Sequence, residues 1–223
     1  ARQYLKDRIG GNVRVLLDND AHVGALAEHR YGAGRGFRDM LYCPVSTGIS
    51  SAMVIDNKLF RGRYGWAGES GHMIVNPGQG IECGCGNRGC LERFAGRRAI
   101  LNAAGLPRGA GSEELLKACE DDASPHHERA RRAVDAAADA LGIALGTAIN
   151  ILDIPAVVLG GHLAPLTGLL APSLQESLDR RVLASHWSAP QILPAPEDET
   201  PGATGGAWSL LEKVIADPAA FIK

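Results

Sequence analysis

The chain has 223 residues, a formal net charge of −2 and 45% hydrophobic residues, which suits a folded globular protein rather than a mainly disordered one. The small net charge gives no basic footprint for direct nucleic-acid binding within this span. No apolar run approaches the roughly 18 residues of a membrane-spanning helix, and the odd number of cysteines, three of them close together, favours a reducing, cytoplasmic location.

Local patterns predict strands that alternate with helices, which is typical of an α/β fold. In chain order they predict a helix (1–9), a strand (13–17), a helix (21–31), three strands (40–45, 52–55 and 58–60), three helices (92–104, 112–119 and 125–151), a strand (156–159), a helix (174–182), a strand (191–194) and a closing helix (205–216). The first strand runs into Asn19 and Asp20 just before a helix, a common position for active-site residues in α/β proteins.

A glycine-rich loop gathers Cys83, Cys85 and Cys90 within eight residues, and His72 lies upstream of it. Three thiolates and an imidazole are a ligand set that zinc prefers in tetrahedral form. Because protein would fill all four positions, the metal would be structural. The alternative is three reduced thiols in a glycine-rich turn.

The same segment resembles the signature of the ROK family (repressors, open reading frames and sugar kinases). The similarity rests on the order E-S-G-H, which ends at His72, followed by C-G-C-G-N-R-G-C-L-E, which ends at Glu92. In that family the histidine and the three cysteines hold a zinc. The resemblance implies an actin/hexokinase-like (ribonuclease H-like) sugar kinase fold, whose larger C-terminal lobe carries the structural zinc loop.

Further segments match the family along most of the chain. They are Asn19-Asp20-Ala21-His22 (N-D-x-N), Gly32–Gly36, Thr47-Gly48-Ile49 (second phosphate motif) and Val157–Gly161 (adenosine-side motif). The family's earlier D-x-G-G-T turn has no counterpart in the sequence, so we expect a chain that lacks the N-terminal phosphate-binding segment. The expected division is a remnant of the N-terminal lobe (1–19), a sugar- and zinc-binding C-terminal lobe (20–208), and a C-terminal helix that packs back on the N-terminal lobe (209–223).

The resemblance also assigns roles to individual residues. Asp20 is the expected general base for phosphoryl transfer to a sugar hydroxyl, although an aspartate at a helix start is also an ordinary N-cap. The expected sugar-binding residues are Asn19, Gly65, Glu69, His72 and Glu92. The expected ATP-binding residues are Thr47, Gly48, Gly160 and Gly161, with Mg²⁺ as the accompanying ion.

Two departures from the family pattern affect these expectations. His22 replaces the second asparagine of N-D-x-N, which leaves it able to hydrogen-bond locally or to alter the pocket. Ser50, Ser51 and Ala52 replace glycines whose bare backbone would let phosphate approach N–H groups closely. We therefore expect side chains at these three positions to crowd a bound phosphate and to weaken ATP binding.

Two classes of protein fit these residues, and the sequence leaves the choice open. The first is a magnesium-requiring kinase that transfers the γ-phosphate of ATP to a hexose, such as glucose or an N-acetylated hexosamine. The alternative is a sugar-sensing transcriptional repressor of the same family, whose DNA-binding helix-turn-helix would precede Ala1. Either would bind a small sugar, form a homodimer or tetramer and have no membrane partner; DNA is a partner only if that upstream domain exists.

Overall fold

The computed structural model describes residues 2–10, 13, 15–78, 80–196 and 201–221. Its helices are α1 (Arg2–Ile9), α2 (Asp20–Arg30), α3 (Glu92–Ala95), α4 (Arg97–Ala104), α5 (Ser112–Glu120), α6 (His127–Leu152), α7 (Thr167–Arg181) and α8 (Pro201–Ala216). Its strands are β1 (Met40–Val45), β2 (Ala52–Ile55), β3 (Lys58–Phe60), β4 (Ala156–Gly161) and β5 (Gln191–Pro194).

The five strands form one mixed sheet in the order β3-β2-β1-β4-β5. The first three strands make an antiparallel meander, and β4 and β5 then add in parallel, with Tyr42 opposite Val158. Successive side chains of a strand point to opposite faces, so β1 supplies the core on both sides of the sheet. Leu41 and Cys43 pack in the larger core, whereas Met40 and Tyr42 pack in the smaller one.

The smaller core lies under α2, and α8 packs against the same helix. Their backbones approach closely at Gly205, where a Cβ atom would lie 1.6 Å from the carbonyl oxygen of Val23. Only glycine permits this approach. Because α8 runs continuously through residue 209, the boundary expected there falls inside a helix, and the division into lobes stays a proposal.

The larger core contains α6, which lies between α4, α5 and α7. By length and composition α6 is the one helix in the described ranges that could cross a membrane. Its apolar stripe includes Ala137, Leu141 and Leu145, and these side chains are buried against the rest of the protein. That burial is the ordinary position of a core helix.

Most elements lie within a few residues of where the sequence predicts them, and three show larger differences. The strand expected at 13–17 is wrong for Val13 and residues 15–17, because no strand among the described residues pairs with them; positions 11, 12 and 14 lie outside the described residues. The helix expected at 92–104 is divided at Gly96, whose extended backbone (φ −69°, ψ 149°) separates α3 from α4. Helix α7 begins at Thr167, seven residues before the predicted start.

Candidate functional site

The start of α2 presents Asp20 to solvent and assigns the capping role to its neighbour. Asn19 has the extended backbone of an N-cap, and its side-chain oxygen accepts hydrogen bonds from the N–H groups of Ala21 (2.9 Å) and His22 (3.3 Å). Asp20 is the first helical residue and is exposed, and one of its oxygens accepts the N–H of Ala21 at 2.9 Å. Since the cap uses the oxygen of Asn19, the amide nitrogen of that side chain remains for a ligand hydroxyl.

His22 connects this helix start to the loop that leads to Glu69. It is 2% exposed, its Nδ1 lies 3.4 Å from Oδ1 of Asp18, and its Nε2 lies 3.3 Å from the carbonyl oxygen of Ala67. Arg61, from the same loop, forms an ion pair with Asp18. Burial alone would raise the pKa of Asp18, but the Arg61 guanidinium outweighs it and holds the pKa below its usual value. His22, which departs from the family pattern, therefore links the start of α2 to the loop before Glu69.

Two of the three replaced glycines, at positions 51 and 52, do not have the effect that the sequence predicts. Ser51 is buried, and both its N–H (2.6 Å) and its hydroxyl (3.2 Å) donate to the carbonyl oxygen of Gly68. Ala52 is fully buried in β2, and Ser50 is half-buried. The expected crowding is wrong for Ser51 and Ala52, because the start of β2 turns them into the protein. Thr47 and Gly48 remain at the open end of this turn.

The four expected metal ligands converge. One ligand atom from each of His72, Cys83, Cys85 and Cys90 lies within 4.8 Å of the others. Sγ of Cys85 and Sγ of Cys90 are 3.6 Å apart, and Sγ of Cys83 lies 3.7 Å from Nδ1 of His72. A tetrahedral zinc with bonds of about 2.3 Å to sulfur separates its ligands by about 3.8 Å. The donor set and its spacing fit such an ion.

The local fold of the loop explains this convergence. Residues 81–89 form a small hairpin in which Glu82 bridges Arg88, and Cys83 N–H donates to the carbonyl of Asn87 at 2.8 Å. Gly89 has φ +81°, and a Cβ there would lie 2.1 Å from the carbonyl oxygen of Asn76, so a larger residue would open the loop.

The thiols of the loop differ in acidity. The backbone N–H of Asn87 is the main cause that lowers the pKa of Cys85 to about 7, whereas burial raises the pKa of Cys90 to about 12. A thiolate is the form that binds a metal, so the exposed Cys85 is the thiol most prepared for binding.

The loop also contacts an expected sugar ligand, Glu92. The thiol of Cys83 donates to Oε1 of Glu92 at 3.1 Å, and Oε2 faces Gly48, where a Cβ would approach it to 3.2 Å. Glu92 borders cavities of about 350 and 400 Å³. Glu69 borders a different cavity of about 250 Å³ against α6. We expect Asn19, Asp20, Glu69 and Glu92 to line one pocket beside the loop, and this stays a prediction. Gly65 lies in an exposed turn with φ +79°.

The two expected ATP motifs end neighbouring strands. Strand β1 pairs in parallel with β4, so that Val45, just before Ser46 and Thr47, lies opposite Gly161. Gly161 has φ +60°, and a Cβ there would lie 2.3 Å from the carbonyl oxygen of Val45. That carbonyl also accepts the N–H of His162 at 2.7 Å. Carboxyl ends of parallel strands are the usual place for ligands in α/β sheets, and the structure brings both motifs to that edge.

Sequence reasoning missed a group of arginines near Thr47. Arg97, Arg98 and Arg108 line the cavity of about 400 Å³ together with Thr47 and Glu92. The adjacent pair Arg97-Arg98 is visible in the sequence, but nothing in the sequence pattern indicates that Arg108 lies beside it.

The model of the ROK family matches residues 3–213. The chain belongs to the ROK family. This match confirms the resemblance and, with it, the actin/hexokinase-like sugar kinase fold with a mixed sheet. A solved relative has the same fold: a ROK family glucokinase from Streptomyces griseus, in complex with glucose and AMPPNP, superimposes with a TM-score of 0.80 and 28% identity. The match covers 93% of this chain and 71% of that one.

Curated relatives of this ROK chain include both a regulator and an enzyme. A xylose repressor from Caldicellulosiruptor bescii is 33% identical over 181 residues, which are 76% of this chain and 45% of the repressor. A glucokinase from Streptomyces coelicolor is 30% identical over 203 residues, which are 83% of this chain and 64% of the enzyme. The chain thus spans about half to two thirds of the length of these relatives.

Proposed function

We propose that this ROK chain forms the sugar-binding part of a kinase that transfers the γ-phosphate of ATP to a hydroxyl of a hexose, such as glucose or an N-acetylated hexosamine. The observation that carries the proposal is at the start of α2. Asn19 caps the helix there, so the neighbouring Asp20 is exposed and is not needed as the cap. In this reaction Asp20 accepts the proton of the sugar hydroxyl while the hydroxyl oxygen bonds to the γ-phosphorus of ATP, and the bond from that phosphorus to ADP breaks so that ADP leaves. The similarity to glucokinases supports the choice of reaction.

Asn19, Gly65, Glu69, His72 and Glu92 are the proposed sugar contacts. Their amide, carboxylate, imidazole and backbone groups are the donors and acceptors that a ring of hydroxyls needs. The contact of His22 with Ala67 supports a common site, because it fixes the start of α2 against the loop before Glu69.

Thr47, Gly48, Gly160 and Gly161 are the proposed contacts of ATP, which would bind with Mg²⁺. Their position at the shared edge of β1 and β4 supports this assignment. The burial of Ser51 and Ala52 also supports it, since neither side chain stands where a phosphate would approach Thr47.

His72, Cys83, Cys85 and Cys90 are proposed to hold a structural zinc. Bound to all four ligands, the ion would supply a rigid centre around which residues 72–92 keep their shape. With Nδ1 of His72 facing Cys83, its Nε2 is left for a sugar hydroxyl.

A sugar-sensing repressor is the second proposed function. The similarity to a xylose repressor favours it, and sugar binding by Asn19, Glu69 and Glu92 would serve a regulator equally well. DNA binding would then depend on a helix-turn-helix segment outside these 223 residues.

Assembly as a cytoplasmic homodimer or tetramer is proposed for either function. The end of α6 and the turn after α7 expose Ile151, Leu183 and Trp187, which are 75%, 82% and 82% exposed. Leu183 N–H donates to the side chain of Asn150 at 2.9 Å, so Ile151 and Leu183 are neighbours on one surface. Large apolar side chains grouped in this way favour a protein contact.

The test of the proposed function is phosphoryl transfer from ATP to a panel of hexoses, with sugar binding measured in parallel on the full natural polypeptide. A kinase phosphorylates at least one hexose that it binds. Tight binding without transfer to any member of the panel would favour the regulator.

A further inference from the structure

An electropositive cavity of about 400 Å³ lies between the turn after β1 and the start of α4. Its lining consists of Ser46, Thr47, Gly48, Glu92, Arg97, Arg98 and Arg108. Three arginines and one carboxylate give this lining a formal charge of +2. Such a charge in a concave site attracts anions.

Among the residues that the structure describes, no ion pair neutralises the positive charge of the cavity. Glu92 has its Oε1 against the thiol of Cys83, and no ion pair of Arg98 or Arg108 occurs among the described residues. Helix α4 begins with Arg97 and Arg98, has no acidic residue in its first turn, and has Gly96 as its N-cap without a side-chain hydrogen bond. Since the N-terminal end of a helix is itself positive, it adds to the net positive charge that Glu92 leaves in this part of the described structure, and a bound anion would offset that charge.

Arg97 joins the start of α4 to the turn that follows Arg108. Its guanidinium donates to the carbonyl oxygens of Ala110 (2.5 Å) and Gly109 (3.4 Å). These bonds fasten the turn that carries Arg108 to the start of the helix that carries Arg98. The three arginines and Thr47 line one cavity, and these hydrogen bonds join the two segments that carry the arginines.

We propose that Arg98 and Arg108, with the hydroxyl of Thr47, bind the phosphate groups of a ligand in this cavity, and that Arg97 is a positioning residue for them. Guanidinium groups suit this role because their planar donors match phosphate oxygens in pairs. The inference rests on the proposed function in one respect, namely that the phosphate belongs to the phosphoryl donor or to a phosphorylated sugar.

Inorganic pyrophosphate is the probe that tests the site without sugar or catalysis. Calorimetric titration of the purified chain is expected to show binding that weakens as salt is added. Arg98→Gln and Arg108→Gln should each raise the dissociation constant roughly tenfold, as expected for the loss of a charge-assisted hydrogen bond. Arg131→Gln is the matched control, because Arg131 is also an exposed arginine but lies on α6 outside the cavity lining, and it should leave the constant unchanged.

Competition then identifies the source of the phosphate. Displacement of pyrophosphate by ATP assigns the site to the nucleotide, and displacement by glucose 6-phosphate assigns it to a phosphorylated sugar; both outcomes support the proposal. Sulfate that competes as well as either one would overturn it, because the cavity would then be a non-selective cationic patch. Unchanged binding in both arginine variants would also overturn it.

The proposed function can fail separately from this inference. A chain that binds pyrophosphate through Arg98 and Arg108 but binds no hexose would contradict the sugar site and leave the anion site in place. A chain that binds hexose normally but does not bind pyrophosphate would contradict the anion site and leave the sugar site in place. Because Arg98 and Arg108 are exposed, their replacement should leave the fold intact, and matching circular dichroism spectra of wild type and variants would check this.

Discussion

Sγ of Cys83 lies 3.1 Å from Oε1 of Glu92, so the loop that carries the three cysteines directly contacts a residue expected to bind the sugar. The same sulfur lies 3.7 Å from Nδ1 of His72, the other residue proposed to serve both metal and sugar. We predict that a change in the loop alters both proposed sugar contacts, because one sulfur atom lies beside Glu92 and His72. A zinc held by this loop would then affect sugar binding as well as the shape of the loop.

Purified protein is expected to contain close to one zinc per chain. Cys83→Ser should lose the metal, because a hydroxyl is a poor zinc ligand and the three remaining residues leave the site incomplete. Cys119→Ser is the control: Cys119 is buried on α5, away from the cluster, and its replacement should leave the metal content unchanged. Elemental analysis makes the measurement, and a fully folded, metal-free wild type would contradict the assignment.

Glu92→Gln is expected to raise KM for the sugar more than it lowers kcat, since the proposed role of this carboxylate is to hold a hydroxyl in both ground and transition states. The loss of one charged hydrogen bond corresponds to about 1.5–3 kcal/mol, or roughly 10- to 150-fold in affinity. Steady-state kinetics on wild type and Glu92→Gln would measure both KM and kcat. Chelation of the metal from wild type should weaken sugar affinity in the same direction, and an unchanged affinity after chelation would contradict the coupling through Cys83.

His22→Ala should weaken sugar binding although His22 is not proposed to touch the sugar. The substitution removes the contacts with Asp18 and with the Ala67 carbonyl, so the loop before Glu69 loses its attachment to α2. We expect KM to rise several-fold and kcat to change less. His22→Asn restores the residue of the N-D-x-N pattern and should recover part of the loss. Equal damage by both substitutions would indicate a general packing role.

Gly68→Ala should destabilise the fold by about 2–4 kcal/mol. Gly68 has φ +99°, and a Cβ would lie 1.8 Å from the carbonyl oxygen of Ser51, so backbone strain and a steric clash add. Gly36→Ala is the matched control, because Gly36 has φ +95° with nothing within 4 Å of its Cβ position, and should cost only about 1–2 kcal/mol. Denaturant unfolding measures both, and equal losses would contradict the close approach.

The sequence predicts local features of this molecule well. Strands 40–45, 52–55, 58–60 and 191–194 occur within the predicted bounds, because short apolar runs between turn residues determine them locally. The cluster of His72 with the three cysteines was predictable for a related reason, since three of its four ligands lie in a single hairpin.

Features that depend on distant partners were not predictable. The run at 13–17 has the composition of a strand, but no neighbouring strand among the described residues pairs with it. Arg98 and Arg108 line one cavity, and Arg97 joins their two segments through hydrogen bonds to the carbonyl groups of residues 109 and 110. No periodic pattern in the sequence predicts such contacts. Likewise, the buried position of Ser51 depends on its hydrogen bonds to the carbonyl oxygen of Gly68, which is 17 residues away in the sequence.

The most direct test of the central claim compares wild type with Asp20→Asn in ATP-dependent phosphorylation of the hexose that the protein binds, on the full natural polypeptide. Asparagine keeps the size of the side chain and still hydrogen-bonds a hydroxyl, but it cannot accept a proton. A positioned general base contributes about 10²–10⁴-fold, so kcat should fall by about that factor while sugar affinity changes little. If Asp20→Asn retained the kcat of wild type, or if wild type bound a hexose tightly and phosphorylated none, the assignment of Asp20 as the base of a sugar kinase would be contradicted.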